Sequence, residues 1–157
     1  MKLSIKNVVK KLLKKKIKIS IAESCTGGML SSRITSVSGS SKIFSIGLVT
    51  YSNLSKIKVL KVPKKILIKY GAVSEQVCRV MAKNASIIGK TNMSISVTGI
   101  AGPSGGSKEK PVGLVYIGIK KEDKILINKY LFKNKGRSYI QEATINKCIE
   151  LILGAIK

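Results

Sequence analysis

The chain has 157 residues, with 30 Lys and Arg against seven Asp and Glu, a formal net charge of +23, three Cys and no His. The missing His excludes a Ser-His-Asp triad and any His-based metal site. Cys25, Cys78 and Cys148 stand too far apart for a zinc knuckle or a C-x-x-C redox pair, and no apolar run reaches the about 20 residues of a bilayer span.

Val8, Val9, Leu12 and Leu13 recur at helical spacing, which predicts an amphipathic helix over residues 5–16 with a lysine-rich outer face. Residues 17–22 are β-branched and read as a strand. The chain then passes through Glu23-Ser24-Cys25-Thr26-Gly27-Gly28 into a helix predicted over 26–37, with Met29, Leu30, Ile34 and Val37 on one face. Residues 43–50 form a second predicted strand. Ser52-Asn53 caps a short helix through Lys61, and Pro63 is expected to open a further turn of helix at its first position. A longer helix follows over 74–88, then a third strand over 92–98. Residues 112–119 and 124–132 pair as a hairpin around Glu122-Asp123, and a final helix spans 136–156. No repeat, linker or composition break divides the chain, so one domain over 1–157 is expected. Strands alternating with helices and ending in a hairpin predict an α/β fold, a three-layer α/β/α sandwich with a mixed, mostly parallel sheet.

The charge invites a nucleic-acid reading. Only Arg33, Arg79 and Arg137 are arginines, however, and nucleic-acid surfaces favour Arg. The lysines are spread along the chain, in predicted helices, strands and loops alike, alongside heavy use of Ile and Asn, a pattern expected from A·T-rich codon bias. Five Tyr and two Phe leave few platforms for base stacking. No specific nucleic-acid partner and no membrane association are expected. The basic N-terminus, Met1-Lys2-Leu3-Ser4-Ile5-Lys6-Asn7, lacks the apolar core of a signal peptide, and with an odd number of Cys this predicts a cytoplasmic protein.

The turn at Ser24 has two readings. It is either a Ser/Thr helix cap with glycines for the turn, or a nucleophile placed beside the free amides and positive end of a helix. With no His available, the base for a serine nucleophile would be a Lys. Four other segments could converge on it: Ser40-Ser41, Thr50-Tyr51-Ser52-Asn53 with Lys56 one turn on, Thr98-Gly99-Ile100-Ala101-Gly102-Pro103, and Gly136-Arg137. Several of these follow predicted strand ends, where ligands sit in open α/β sheets.

Together, Ala22-Glu23-Ser24-Cys25-Thr26-Gly27-Gly28, Val49-Thr50-Tyr51-Ser52-Asn53, Gly71-Ala72-Val73-Ser74-Glu75, Thr98-Gly99-Ile100-Ala101-Gly102-Pro103 and Lys110-Pro111-Val112-Gly113 resemble the C-terminal domain of the competence/damage-inducible protein CinA. Chains made of this domain alone are similar to nicotinamide-nucleotide amidohydrolases. The resemblance implies hydrolysis of nicotinamide mononucleotide to nicotinate mononucleotide and ammonia, without cofactor or metal. It makes Ser24 the nucleophile and Lys56 the base, with Ser41 and Tyr51 as further catalytic hydroxyls. Thr26, Gly27, Gly28, Thr98, Gly99 and Arg137 become substrate-binding residues. The chain departs from the family at Ser104, where an acidic residue is usual. It departs again at Asn134-Lys135-Gly136-Arg137, where Gly-Asp-Arg is usual and Arg137 falls one residue out of register. A general-base role requires lowering the Lys56 pKa from about 10.4 by roughly three units, so a desolvated Lys56 is expected. The alternative is a non-catalytic nucleotide-binding or accessory module. A homo-oligomer is the expected assembly.

Overall fold

The computed structural model describes residues 4–157, so the basic Met1-Lys2-Leu3 start lies outside the described residues. In chain order the elements are α1 (Ile5–Lys15), β1 (Ile19–Glu23), α2 (Met29–Thr35), a 3-10 turn (Ser40–Lys42), β2 (Phe44–Val49), α3 (Asn53–Lys58), α4 (Lys64–Tyr70), α5 (Glu75–Gly89), β3 (Met93–Gly99), β4 (Leu114–Lys121), β5 (Lys124–Leu131) and α6 (Arg137–Ala155). Each predicted element is present, and the differences lie at the ends. The helix expected from residue 26 starts at Met29, because Gly27 and Gly28 take φ of 56° and 96°, outside the helical region. The helix expected through Lys61 stops at Lys58, and Lys61 itself turns left-handed at φ 55°. Pro63, with φ −59° and ψ 129°, caps α4 rather than entering it.

The sheet order is β2-β1-β3-β4-β5. β1 runs parallel to both β2 and β3, whereas β4 and β5 add antiparallel. The mixed sheet predicted from the sequence therefore forms, with three of its strands parallel. Glu23 lies opposite Val49 on one side and Val97 on the other, so all three parallel strands end at the same edge.

One face of the sheet presents Ile19, Ile21, Ile95, Val97, Val115 and Ile117 to α1, α2 and α6, which contribute Val8, Leu12, Leu30, Ile34, Ile140 and Ile152. Each such side chain fully buried contributes about 1.5–3 kcal/mol relative to exposure. The other face is different. Beneath α5 lie Ser20, Ser94, Ser96 and Gly118, small enough for a close approach. Ser94 Oγ donates to the Ala82 carbonyl at 2.5 Å and Ser96 Oγ to the Cys78 carbonyl at 2.8 Å, so the helix itself satisfies these two hydroxyls, while Ser20 Oγ pairs with Thr91 Oγ1 at 2.8 Å. A Cβ at Gly118 would stand 2.4 Å from Ser96 Oγ. A smaller core of Ala22, Leu60, Val62, Leu67, Val77, Met81 and Ala85 completes this side near α4. The helices thus form two layers around the sheet, a three-layer α/β/α sandwich.

Candidate active site

Successive residues of a strand point to opposite faces. At the end of β1, Glu23 turns toward α2, and Ser24, one residue on, turns toward α3. Ser52 caps α3 by accepting from Ser55 N, and Ser52 N donates in turn to the Ser55 hydroxyl oxygen, so a reciprocal capping box fixes where the helix starts. One turn later Lys56 points inward and is only 1% exposed. Its Nζ lies 2.9 Å from Ser24 Oγ and 2.7 Å from the Thr50 carbonyl.

Burial pushes the Lys56 ammonium below the ordinary lysine range. Among the described residues Lys56 has no ion-pair partner to resist that shift. Its thiol neighbour Cys25 is itself pushed up to about 12 by burial and stays neutral near pH 7. A neutral amine in this position donates one N–H to the Thr50 carbonyl and can accept the Ser24 hydroxyl proton through its lone pair.

Ser24 and Lys56 open into a cleft of about 300 Å³, also lined by Tyr51, Thr98, Gly99, Ser104 and Arg137. Thr98 Oγ1 donates to the Ala72 carbonyl at 2.8 Å, which ties the end of β3 to Ala72-Val73, which also line the cleft. Arg137, the first residue of α6, spans the mouth. It donates to the Gly102 carbonyl at 2.9 Å and to the Tyr51 hydroxyl at 2.7 Å. Guanidinium carries five N–H donors, so others remain for an anion. Among the described residues, no Asp or Glu lines the cleft.

Four sequence expectations need correction. Ser41 is exposed to solvent in the 3-10 turn before β2. The six residues of β2 separate it from the site by roughly 20 Å at about 3.3 Å per residue, so it supplies no relay, and none is required at a 2.9 Å contact. Thr26 is fully buried and donates to Glu23 at 2.6 Å rather than facing the cleft. Gly27 and Gly28 shape the turn through their positive φ and do not line the cleft. The first amides of α2 are not open for a ligand either, because Leu30 N and Ser31 N donate to the Glu23 carboxylate at 3.1 and 2.9 Å.

Glu23 is the residue that sequence reasoning missed. Its signal was a lone carboxylate at a strand end, directly before a glycine turn that leaves α2 with no capping side chain of its own. Among the described residues, no three His, Cys, Asp or Glu side chains form a group that could hold a metal ion, and no helix is long and apolar enough to cross a membrane. A larger cleft of about 550 Å³, between Lys11, Ile119, Leu126 and the end of α6, gathers no Ser, Thr or Cys among the described residues.

Fold and site together define an α/β/α sandwich with a Ser–Lys pair at the carboxyl ends of its parallel strands. The chain belongs to the CinA C-terminal domain family, whose model matches residues 2–156. It is 48% identical over 144 residues to a CinA-like protein from Prochlorococcus marinus subsp. pastoris, covering 90% of this chain and 33% of that protein. It thus spans about a third of the length of the curated relatives it matches. Among solved structures it resembles the competence/damage inducible protein CihA from Agrobacterium tumefaciens, with 35% identity, a TM-score of 0.92 and both chains fully covered. A CinA superfamily protein from Escherichia coli gives 28% identity and a TM-score of 0.91 over 96% of this chain and 90% of that one.

Proposed function

We propose that this chain is an amidohydrolase that converts nicotinamide mononucleotide to nicotinate mononucleotide and ammonia, with Ser24 as nucleophile and Lys56 as base. The observation that carries the proposal is the buried Lys56 amine, 2.9 Å from Ser24 Oγ and without an ion-pair partner among the described residues. Ser24 Oγ bonds to the carboxamide carbon as its proton passes to Lys56 Nζ. The new ammonium then stands beside the tetrahedral oxyanion it helped create. Collapse breaks the C–N bond, and Lys56 returns the proton to the departing ammonia. Water, activated by the same amine, then frees the acid from Ser24.

The test is ammonia release from nicotinamide mononucleotide by the purified protein. Turnover at the same rate with and without a metal chelator is expected. No release, or a loss to chelator that a divalent metal restores, would overturn the proposal.

Arg137 and the carboxylate-free wall suit the phosphate end of this substrate. Arg137→Ala should raise KM for nicotinamide mononucleotide by about 10-fold, within the range for lost charge-assisted hydrogen bonds, with little change in kcat. The same substitution should barely alter kinetics on nicotinamide riboside, which lacks the phosphate. An equal KM penalty on both substrates would assign Arg137 to holding the loops alone.

A further inference from the structure

We infer that Glu23 is the positioning residue of this site, a buried carboxylate that locks the nucleophile turn so that Ser24 stays on Lys56. The inference rests on the Ser24–Lys56 reading above and adds to it what holds the pair in register.

Glu23 is fully buried, and among the described residues it has no cation within ion-pair distance. Four hydrogen-bond donors compensate its charge instead. Oε2 accepts from Thr26 Oγ1 at 2.6 Å and Leu30 N at 3.1 Å, and Oε1 accepts from Ser31 N at 2.9 Å and Ser31 Oγ at 2.8 Å. A buried carboxylate without these donors would be too costly to keep, so the donors and the carboxylate hold one another in place.

The geometry explains why that matters for Ser24. The residue capping α2 is Gly28, which has no side chain to offer. Glu23 reaches over from the last position of β1 and takes the capping role, binding the second and third amides of α2. Residues 24–28 are thereby closed into a loop pinned at both ends by one side chain. Within that loop Ser24 N donates to the Val97 carbonyl at 3.1 Å, and Gly27 N to the Ser24 carbonyl at 3.0 Å. Two glycines at positive φ would otherwise leave this turn free to swing. Packing reinforces the clamp from outside. A Cβ at Gly47 of β2 would lie 2.5 Å from Ser31 Oγ, so only glycine there leaves Ser31 room to sit against Glu23.

Glu23→Ala leaves buried donors unpaired and can fail to fold, so Thr26→Val carries the test. It keeps the shape and removes one donor, and Thr26→Ser restores that donor. Two readouts are needed, with folded protein confirmed by circular dichroism. The first is kcat and KM on nicotinamide mononucleotide. The second is the rate at which a fluorophosphonate probe modifies Ser24, followed by mass spectrometry. In that reaction Ser24 Oγ bonds to phosphorus, fluoride leaves, and the hydroxyl proton passes to Lys56.

Thr26→Val should lower both kcat and the phosphonylation rate on the order of 10-fold or more, as expected for a displaced nucleophile. KM should hold, and Thr26→Ser should recover most of both rates. A variant with a lower melting temperature but an unchanged phosphonylation rate would overturn the inference and make the clamp purely structural. Phosphonylation of the wild type without amide turnover would overturn the proposed substrate and still let the variants decide the role of Glu23. A wild type whose Ser24 takes no phosphonyl group would overturn both.

Discussion

Under the proposed function, Ser24→Ala and Lys56→Ala should each lower kcat on the order of 1,000-fold or more, and the double variant should be scarcely worse than either alone. That outcome follows from the contact between the two groups. Once the base is gone, an unactivated hydroxyl has little to contribute, and once the hydroxyl is gone, the base has no proton to take. Lys56→Arg does not rescue activity, because a guanidinium stays protonated at every usable pH. The measurement is steady-state ammonia release for wild type, both single variants and the double. Near-normal turnover by Ser24→Ala would remove the proposed nucleophile, and additive losses would dissolve the pair.

Lys56→Met should make the protein more stable at neutral pH, and the gain should shrink as the pH rises toward about 10.5, the ordinary lysine value. The sign follows from proton counting. Burial holds the folded-state pKa of Lys56 below its unfolded value. Between those two values the unfolded chain carries one more proton than the folded chain, so wild-type stability climbs with pH across that window. Below the folded-state pKa the full penalty applies, at about 1.4 kcal/mol for each unit of depression. For a chain of this size each kcal/mol corresponds to about 2–4 °C in melting temperature. The bond from Lys56 to the Thr50 carbonyl is lost in the variant at every pH, so it offsets the difference without giving it a slope. Thermal melts of both proteins from neutral to alkaline pH decide the matter. A difference that does not change with pH would mean that Lys56 is not held neutral by the fold.

The elements were legible because their signals are local. Helical spacing at Val8, Val9 and Leu12, the Ser52 cap and the β-branched strand residues each announce themselves within a few positions. The convergence of Ser24 and Lys56 was also legible, since both follow strand ends and the strands are parallel neighbours. Ser41 misled because adjacency to a strand does not say which end faces the site. The 3-10 turn places it before β2, at the wrong edge of the sheet. Thr26 and the α2 amides misled for another reason. A free helix N-terminus is a sound expectation until a long side chain from elsewhere occupies it, and the reach of Glu23 across seven and eight residues is a tertiary fact. Arg137 is expected from the resemblance as a substrate-binding residue, and its further tie between Tyr51 and Gly102, 86 residues away on one side and 35 on the other, is a tertiary fact that no local pattern announces.

The serines beneath α5 act as a proofreading device for the sheet. Ile19-Ser20-Ile21 and Met93-Ser94-Ile95-Ser96-Val97 have the alternation of strands half open to water, yet Ser20, Ser94 and Ser96 are fully buried. Parallel strands paired through apolar residues on both faces could slide past one another with little penalty. Here a slip of a single residue would turn the hydroxyls into the isoleucine layer, where no carbonyl waits for them, and press isoleucines against the part of α5 that Ser94, Ser96 and Gly118 let approach closely. Misregistered pairings would thus be rejected during folding. Because Ser24 and Thr98 continue the same strands into the cleft, the correct register also sets the height at which both hydroxyls emerge.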